Sequence, residues 1–148
     1  MRHTFACGTH TLAVALYGVL RPGDTMLSAT GTPYDTIHSV IGLSGEGQGS
    51  LKDFGVRYRQ AELGQDGLPD LSAICAAIDP STKMVYIQRS RGYSLRPSLS
   101  VRQIGEVVRA VKAVKPDVIV MVDNCYGEFV EESEPLSRGR RSDRGLSH

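Results

Sequence analysis

Val101, Ile104, Val107, Val108, Val111 and Val114 recur at helical spacing, and Val118-Ile119-Val120-Met121-Val122 follows a few residues later without a polar interruption. This pairing constrains the fold more than any other feature of the chain. A one-sided apolar stripe makes a helix that must cover something. An unbroken apolar run of strand length makes a strand buried on both faces, which is the habit of parallel sheets. Ser100-Val101-Arg102-Gln103 has the pattern of a capping box and opens the helix; Pro116-Asp117 closes it.

The same alternation runs back through the chain. Thr9 is the predicted cap of a first helix bearing Leu12, Leu16, Val19 and Leu20, which stops before the turn Arg21-Pro22-Gly23-Asp24. Thr25-Met26-Leu27-Ser28 reads as a buried strand, Asp35 to Ile41 as a second helix, and Gly42 to Ser50 as a loop. Val56 to Leu63 reads as a strand and Gly64-Gln65-Asp66-Gly67 as a turn. Asp70 caps a helix carrying Leu71, Ile74, Cys75 and Ile78, which Asp79-Pro80 ends. Lys83 to Gln88 is the next strand. Strands alternating with helices predict an α/β fold, a mostly parallel sheet with helices on both faces. No internal repeat and no domain boundary stands out.

Composition excludes several classes. The 148 residues are 41% hydrophobic and 22% charged, which excludes a disordered or collagen-like chain. No apolar run reaches the roughly 18 residues of a membrane helix, and no secretory signal is expected from Met1-Arg2-His3-Thr4. A net charge of +1 calls for neither nucleic acid nor membrane as partner. Three cysteines, Cys7, Cys75 and Cys125, are odd in number and far apart, which fits a reducing cytoplasm better than a disulfide framework.

In open parallel sheets ligands bind beyond the carboxyl ends of the strands, and three segments qualify. Cys7-Gly8-Thr9-His10 opens the first helix, where small residues expose backbone N–H groups to an anion such as phosphate; the bland reading is a simple cap. Asp123-Asn124 ends the apolar strand, where a carboxylate could act as a base, ligate a metal or pair with a protonated ring nitrogen. Alternatively it only caps a turn. Gln88-Arg89-Ser90-Arg91-Gly92-Tyr93 could hold a carboxylate or phosphate, or form a plain surface loop. No metal site is expected, since no second ligand stands at suitable spacing. His3, His38 and His148 read as surface residues, and Cys7 and Cys125 as buried structural thiols.

Taken together, these segments resemble one family. Phe5-Ala6-Cys7-Gly8-Thr9-His10, Leu20-Arg21-Pro22-Gly23-Asp24 and Gly31-Thr32-Pro33-Tyr34-Asp35-Thr36 carry the likeness, as do Gly49-Ser50-Leu51-Lys52-Asp53-Phe54-Gly55-Val56, Gln88 to Tyr93, and Val122-Asp123-Asn124-Cys125-Tyr126-Gly127-Glu128-Phe129. They are similar to the methionine gamma-lyase-like family, whose members are also called aluminium-resistance proteins. The likeness runs from about Arg2 to about Pro135.

The resemblance implies the large domain of a fold-type I enzyme using pyridoxal 5′-phosphate, in part. It implies carbon–sulfur lyase-like chemistry on an amino acid, by removal of the α-proton and elimination at the β or γ carbon. Cys7, Gly8, Thr9 and His10 stand where the family has Ser-Gly-Thr-His, its phosphate loop, so Cys7 replaces a hydroxyl donor. Asp123 would pair with the pyridine nitrogen. Tyr34 would lie near the cofactor ring, and Arg89 and Arg91 near substrate or cofactor oxygens. The Gly8 and Thr9 amides would point into a pocket that Asp123 also lines. A homo-oligomer is implied for intact members only.

The family also needs a Schiff-base lysine, shortly beyond the Asp123 motif and after a strand like Gly-Ala-Asp-Leu-Ile-Ala-Gly-Ser-Leu-Ile. Lys52, Lys83, Lys112 and Lys115 all precede Asp123. No catalytic residue is therefore assigned, and the chain as written is expected to be inactive. Alternatives from other classes are a non-catalytic remnant that binds phosphate or cofactor, and an unrelated nucleotide-binding α/β domain, for which no Gly-x-Gly-x-x-Gly is present.

The ending has its own reading. Arg138, Arg140, Arg141 and Arg144 crowd a stretch without apolar periodicity, which could be a solvated tail or a nucleic-acid arm. Yet codons permitted for Gly139 to His148, shifted by one base, spell the family strand at ten successive positions, and a following lysine codon then gives a stop after His148. We therefore expect residues 1–136 to form a partial cofactor-binding large domain, and 137–148 to be an out-of-frame, disordered basic tail. A GTG start codon in place of a family Val would account for Met1. Loss of the family strand would leave an open apolar surface beside Val118 to Val122.

Overall fold

The computed structural model describes residues 5–45, 49–91 and 97–125. Helix α1 (Gly8–Val19) leads into strand β1 (Thr25–Ser28), α2 (Asp35–Ile41), β2 (Arg57–Gln60), α3 (Leu71–Ala77), β3 (Thr82–Gln88), α4 (Val101–Val114) and β4 (Ile119–Asp123). The four strands form one sheet in the order β2-β1-β3-β4, and each neighbouring pair is parallel. The chain steps from β1 outward to β2, then returns past β1 to β3. The strand order therefore reverses between β1 and β3.

Local chemistry accounts for the elements. In α4 the Ser100 hydroxyl accepts from the Gln103 N–H at 3.2 Å, and the Gln103 amide oxygen accepts from the Ser100 N–H at 2.8 Å. The capping box expected there is formed. Asp70 Oδ1 accepts from the N–H groups of Ser72 at 2.9 Å and Ala73 at 3.1 Å, and so starts α3. Gly42 ends α2 in the left-handed region, at φ 97°, with its N–H on the His38 carbonyl at 2.8 Å. Arg21 closes α1 by donating from Nη1 to the Tyr17 carbonyl at 3.0 Å and from Nη2 to the Gly18 carbonyl at 3.1 Å.

The sheet separates two cores. Met26, Met84 and Tyr86 pack with Leu16 and Leu20 of the first helical segment and Ile37 and Ile41 of α2. Leu27, Val85 and Ile87 pack with Ile74 of α3 and Ile104, Val107 and Val111 of α4. Adjacent residues of one strand thus enter opposite layers, as the period of two requires. The expectation of helices on both faces of a parallel sheet holds.

Several details differ from the sequence expectation. Helix α1 starts at Gly8 with Cys7, not Thr9, in the capping position, and no side chain caps it. Val114, placed on the buried stripe, is exposed in the last turn of α4, beyond Val111. β4 was expected to be buried on both faces. Instead Ile119 is exposed and Val120, Met121 and Val122 are half-buried. The physical reason is position: among the described residues β4 has a neighbour on one side only. β2 is shorter than expected, and Leu63 instead bridges Pro69 across the 64–67 turn. The basic stretch 137–148 lies outside the described residues, as do Gly92, Tyr93 and Tyr126 to Phe129.

Candidate functional site

Asp123 is the last residue of β4 and is buried. It pairs in register with Gln88, the last residue of β3. In a parallel pair, residues in register project to the same face, so Asp123, Gln88 and Tyr86 share the face covered by α1 and α2. Tyr86 donates its hydroxyl hydrogen to Asp123 Oδ2 at 2.9 Å. The Cys125 N–H donates to Asp123 Oδ1 at 3.0 Å. The carboxylate therefore accepts on both oxygens. Burial pushes the Tyr86 phenol far above its ordinary value, and the neighbouring Asp123 charge adds to the effect.

The start of α1 meets this edge. A methyl group built on Gly8 would stand 3.7 Å from Cys125 Sγ, two residues past Asp123. The Cys7-Gly8-Thr9-His10 turn and the Asp123 turn are therefore neighbours, although more than a hundred residues separate them in sequence. Cys7, Gly8 and His10 are exposed and Thr9 is half-buried. Among the described residues no side chain caps α1, so its first-turn amides have no counterpart of the Asp70 carboxylate that starts α3. His10 Nδ1 accepts from the Ala6 N–H at 3.2 Å, which folds the approach to the helix back on its first turn.

Tyr34 stands at the start of α2, on the same edge. Its N–H donates to Gln88 Oε1 at 2.9 Å, and its hydroxyl bonds the Ser90 hydroxyl. Gln88 in turn takes a 3.2 Å bond from its own N–H to Thr30 Oγ1 and donates Nε2 to the Ser90 carbonyl at 3.2 Å. These bonds lie beyond the carboxyl ends of β1 and β3, where the strand order reverses and where open α/β sheets bind ligands.

The two arginines part company. Arg89 is 3% exposed. Its Nε donates to the Leu99 carbonyl at 3.1 Å and its Nη1 to Asn124 Oδ1 at 2.8 Å. It ties the segment before α4 to the turn after Asp123. Arg91 is exposed. The site residues read from the sequence thus gather at one edge, with Arg89 directed into the fold and Arg91 outward. The expected buried thiols do not occur at this edge: Cys7 is exposed and Cys125 half-buried. His38, read as a surface residue, is half-buried with Nε2 on the Pro33 carbonyl at 2.8 Å. Tyr86 was missed as a partner of Asp123. Its signal was a hydroxyl-bearing ring inside the apolar run Met84 to Ile87, two residues short of the strand end.

The opposite, amino edge holds a shallow depression of about 280 Å³ lined by Ser39, Ser44, Ser50, Lys52 and Asp53. Asp53 Oδ2 already accepts from the Gly49 and Ser50 N–H groups at 3.0 and 2.9 Å, so the acid there serves its own turn. The four lysines lie toward this edge too. Lys83 is the second residue of β3, about 16 Å from Gln88 at strand rise. Lys112 Nζ donates to the Val118 carbonyl at 2.6 Å, just before β4 begins, and Lys115 pairs with Asp117 at 3.2 Å. The Lys52 N–H reaches the Ile41 carbonyl at the far end of α2, at 3.2 Å. Among the described residues no three His, Cys, Asp or Glu side chains gather as metal ligands, and no helix is long and apolar enough to cross a membrane.

The class defined by this fold and edge is an open parallel α/β domain of the fold-type I kind. The alanine aminotransferase of Pyrococcus furiosus has the same fold, with a TM-score of 0.64 at 20% identity over 88% of this chain and 30% of its own. Within that class the chain belongs to the methionine gamma-lyase family, whose model matches residues 1–141. YnbB of Bacillus subtilis strain 168 is 51% identical over 140 residues, 94% of this chain and 33% of its own length. The structure of a carbon–sulfur lyase involved in aluminium resistance, from Clostridium novyi NT, is 47% identical with a TM-score of 0.86, covering 91% of this chain and 32% of its own. The chain spans about a third of the length of the relatives it matches.

Proposed function

We propose that the chain is the cofactor-binding part of a pyridoxal-phosphate-dependent carbon–sulfur lyase that acts on an amino acid, and that the chain as written binds the cofactor without turning substrate over. The observation that carries this reading is the meeting of the uncapped start of α1 with the buried, doubly bonded Asp123 at one sheet edge. The donor set fits the cofactor at both ends. Helix-start amides at Gly8 and Thr9, with the Thr9 hydroxyl, suit a phosphate. A buried carboxylate suits a protonated ring nitrogen. Tyr34 borders the space between them through its tie to Gln88 and Ser90.

When bound, pyridoxal phosphate supplies an electron sink for bond breaking at the α-carbon of an amino acid. The chain's own residues bind and orient. The α1 amides hold the anion, Asp123 fixes the ring end, and Gln88 braces the crevice. Arg89 steadies the turn that carries Asn124. No catalytic base is assigned among them.

The placement of the lysines favours the second half of the proposal. Lys83 stands near the start of β3, Lys112 and Lys115 before β4, and Lys52 beyond the far end of α2, so none stands at the sheet edge that carries Asp123. In the family reading, intact members, assembled as homo-oligomers, carry the catalytic amine beyond the Asp123 motif. The test is a titration of the 148-residue chain with pyridoxal phosphate, followed by borohydride reduction and peptide mapping. Saturable binding displaced by inorganic phosphate, with no single lysine labelled stoichiometrically, is expected. Absence of saturable binding overturns the cofactor reading. Stoichiometric labelling of one lysine overturns the claim that the chain lacks the catalytic amine.

A further inference from the structure

Tyr86 is 0% exposed, in the cluster that contains Leu16, Met26, Ile37 and Met84. The ring packs in an apolar cluster, where a phenylalanine ring would fill the same space. Packing therefore does not account for the hydroxyl. A buried phenol needs an acceptor, and this one donates to Asp123 Oδ2 at 2.9 Å.

The geometry follows from register. Tyr86 sits two residues before Gln88 on β3, and Gln88 is in register with Asp123. Residues two apart on a strand share a face, so the phenol reaches diagonally across to the carboxylate. The other carboxylate oxygen takes the Cys125 N–H at 3.0 Å. One donor on each oxygen fixes the plane of the group. Each oxygen still keeps an acceptor site for a ligand. The phenol's burial keeps it a neutral donor at working pH, so it never competes as an anion. Its ring belongs to the same core as Leu16 of α1, the helix whose start faces the phosphate end of the site.

We propose that Tyr86 is a positioning residue for Asp123, holding the carboxylate in the plane and orientation in which it binds the protonated ring nitrogen of the cofactor. This inference rests on the cofactor reading above, and the experiment separates the two. The probes are pyridoxal phosphate and its 1-deaza analogue, in which carbon replaces the ring nitrogen. Dissociation constants for both are measured by fluorescence titration on the wild-type 148-residue chain and on Tyr86→Phe, with circular dichroism to confirm folding.

The wild-type chain should prefer pyridoxal phosphate over the analogue by about tenfold or more, the range of a hydrogen bond to a charged group. Tyr86→Phe should cut that preference about three- to tenfold and leave analogue binding unchanged. An unchanged preference, or equal weakening of both ligands, would mean that Tyr86 only packs and overturns the proposal. If Tyr86→Phe does not fold, Tyr86→3,5-difluorotyrosine keeps the ring and changes the donor strength. The preference must then change, and a constant preference again overturns the proposal. A wild-type chain that binds both ligands equally refutes the role of Asp123 at the ring nitrogen, and Tyr86's with it. A wild-type chain that binds neither refutes the cofactor reading itself, and this inference falls with it.

Discussion

Leu16→Ala tests whether α1 is docked on the sheet through its one buried residue. Leu16 is 0% exposed and is the one residue of α1 that is fully buried. The substitution removes three carbons, each worth about 0.8 kcal/mol of transfer, or about 2.4 kcal/mol in all. The cavity left behind adds to this, within a range of about 2–5 kcal/mol for such truncations. α1 covers one face of the sheet with its outer side in water, so it can settle partway into the gap. We therefore place the cost at about 3 kcal/mol. With a urea m-value of about 2 kcal/mol/M, the unfolding midpoint should fall by about 1.5 M at constant m. Val14→Ala on the same helix is the control. Val14 is 46% exposed, so its midpoint should move by no more than about 0.5 kcal/mol allows. Leu16→Met, which nearly conserves volume, should cost less than about 1.5 kcal/mol. Equal shifts for Leu16→Ala and Val14→Ala, or a cost below about 1 kcal/mol for Leu16→Ala, would refute the assignment of α1 as a helix docked through Leu16.

Two further outcomes are expected. Cys7→Ser restores a hydroxyl at the uncapped position of α1 and should tighten phosphate and pyridoxal-phosphate binding severalfold in a competition titration; weaker binding would count against the helix start as the phosphate site. Asp79, whose carboxylate takes bonds from Ser81 and pairs with Arg59 at 3.0 Å, is held below its ordinary value of 3.8, chiefly by the Ser81 hydroxyl. Its contribution to stability is therefore present above about pH 4 and lost as pH falls through the lowered value. Asp79→Asn should flatten the acid end of a stability–pH profile below that point and leave the slope at neutral pH unchanged.

Much of the architecture was legible in the chain. β1 over 25–28, α2 over 35–41 and the capping box at Ser100 follow from local chemistry: apolar period, a turn-forming Gly or Pro, and a side chain within reach of its own backbone. Such signals depend on neighbours within about one helical turn, so sequence alone carries them. The family motifs put Cys7-Gly8-Thr9-His10, Tyr34 and Asp123 forward as one candidate site. What they could not convey is how each side chain is directed.

Tertiary structure decided that. Val114 matches its stripe as well as Val111 does, yet only Val111 lies over the sheet. The apolar run of β4 reads as doubly buried, but a strand's burial depends on having neighbours on both sides, and composition does not count neighbours. Arg89 and Arg91 are two residues apart in one motif. The first is buried and bonded to Leu99 and Asn124, and the second is exposed. The bond from Tyr86 to Asp123 needs the register of β3 against β4, which joins residues 37 apart. Sequence determined which residues could form helix, strand and anion site, because those choices are local. Register and layer order, set by packing across the sheet, determined which of them face one another.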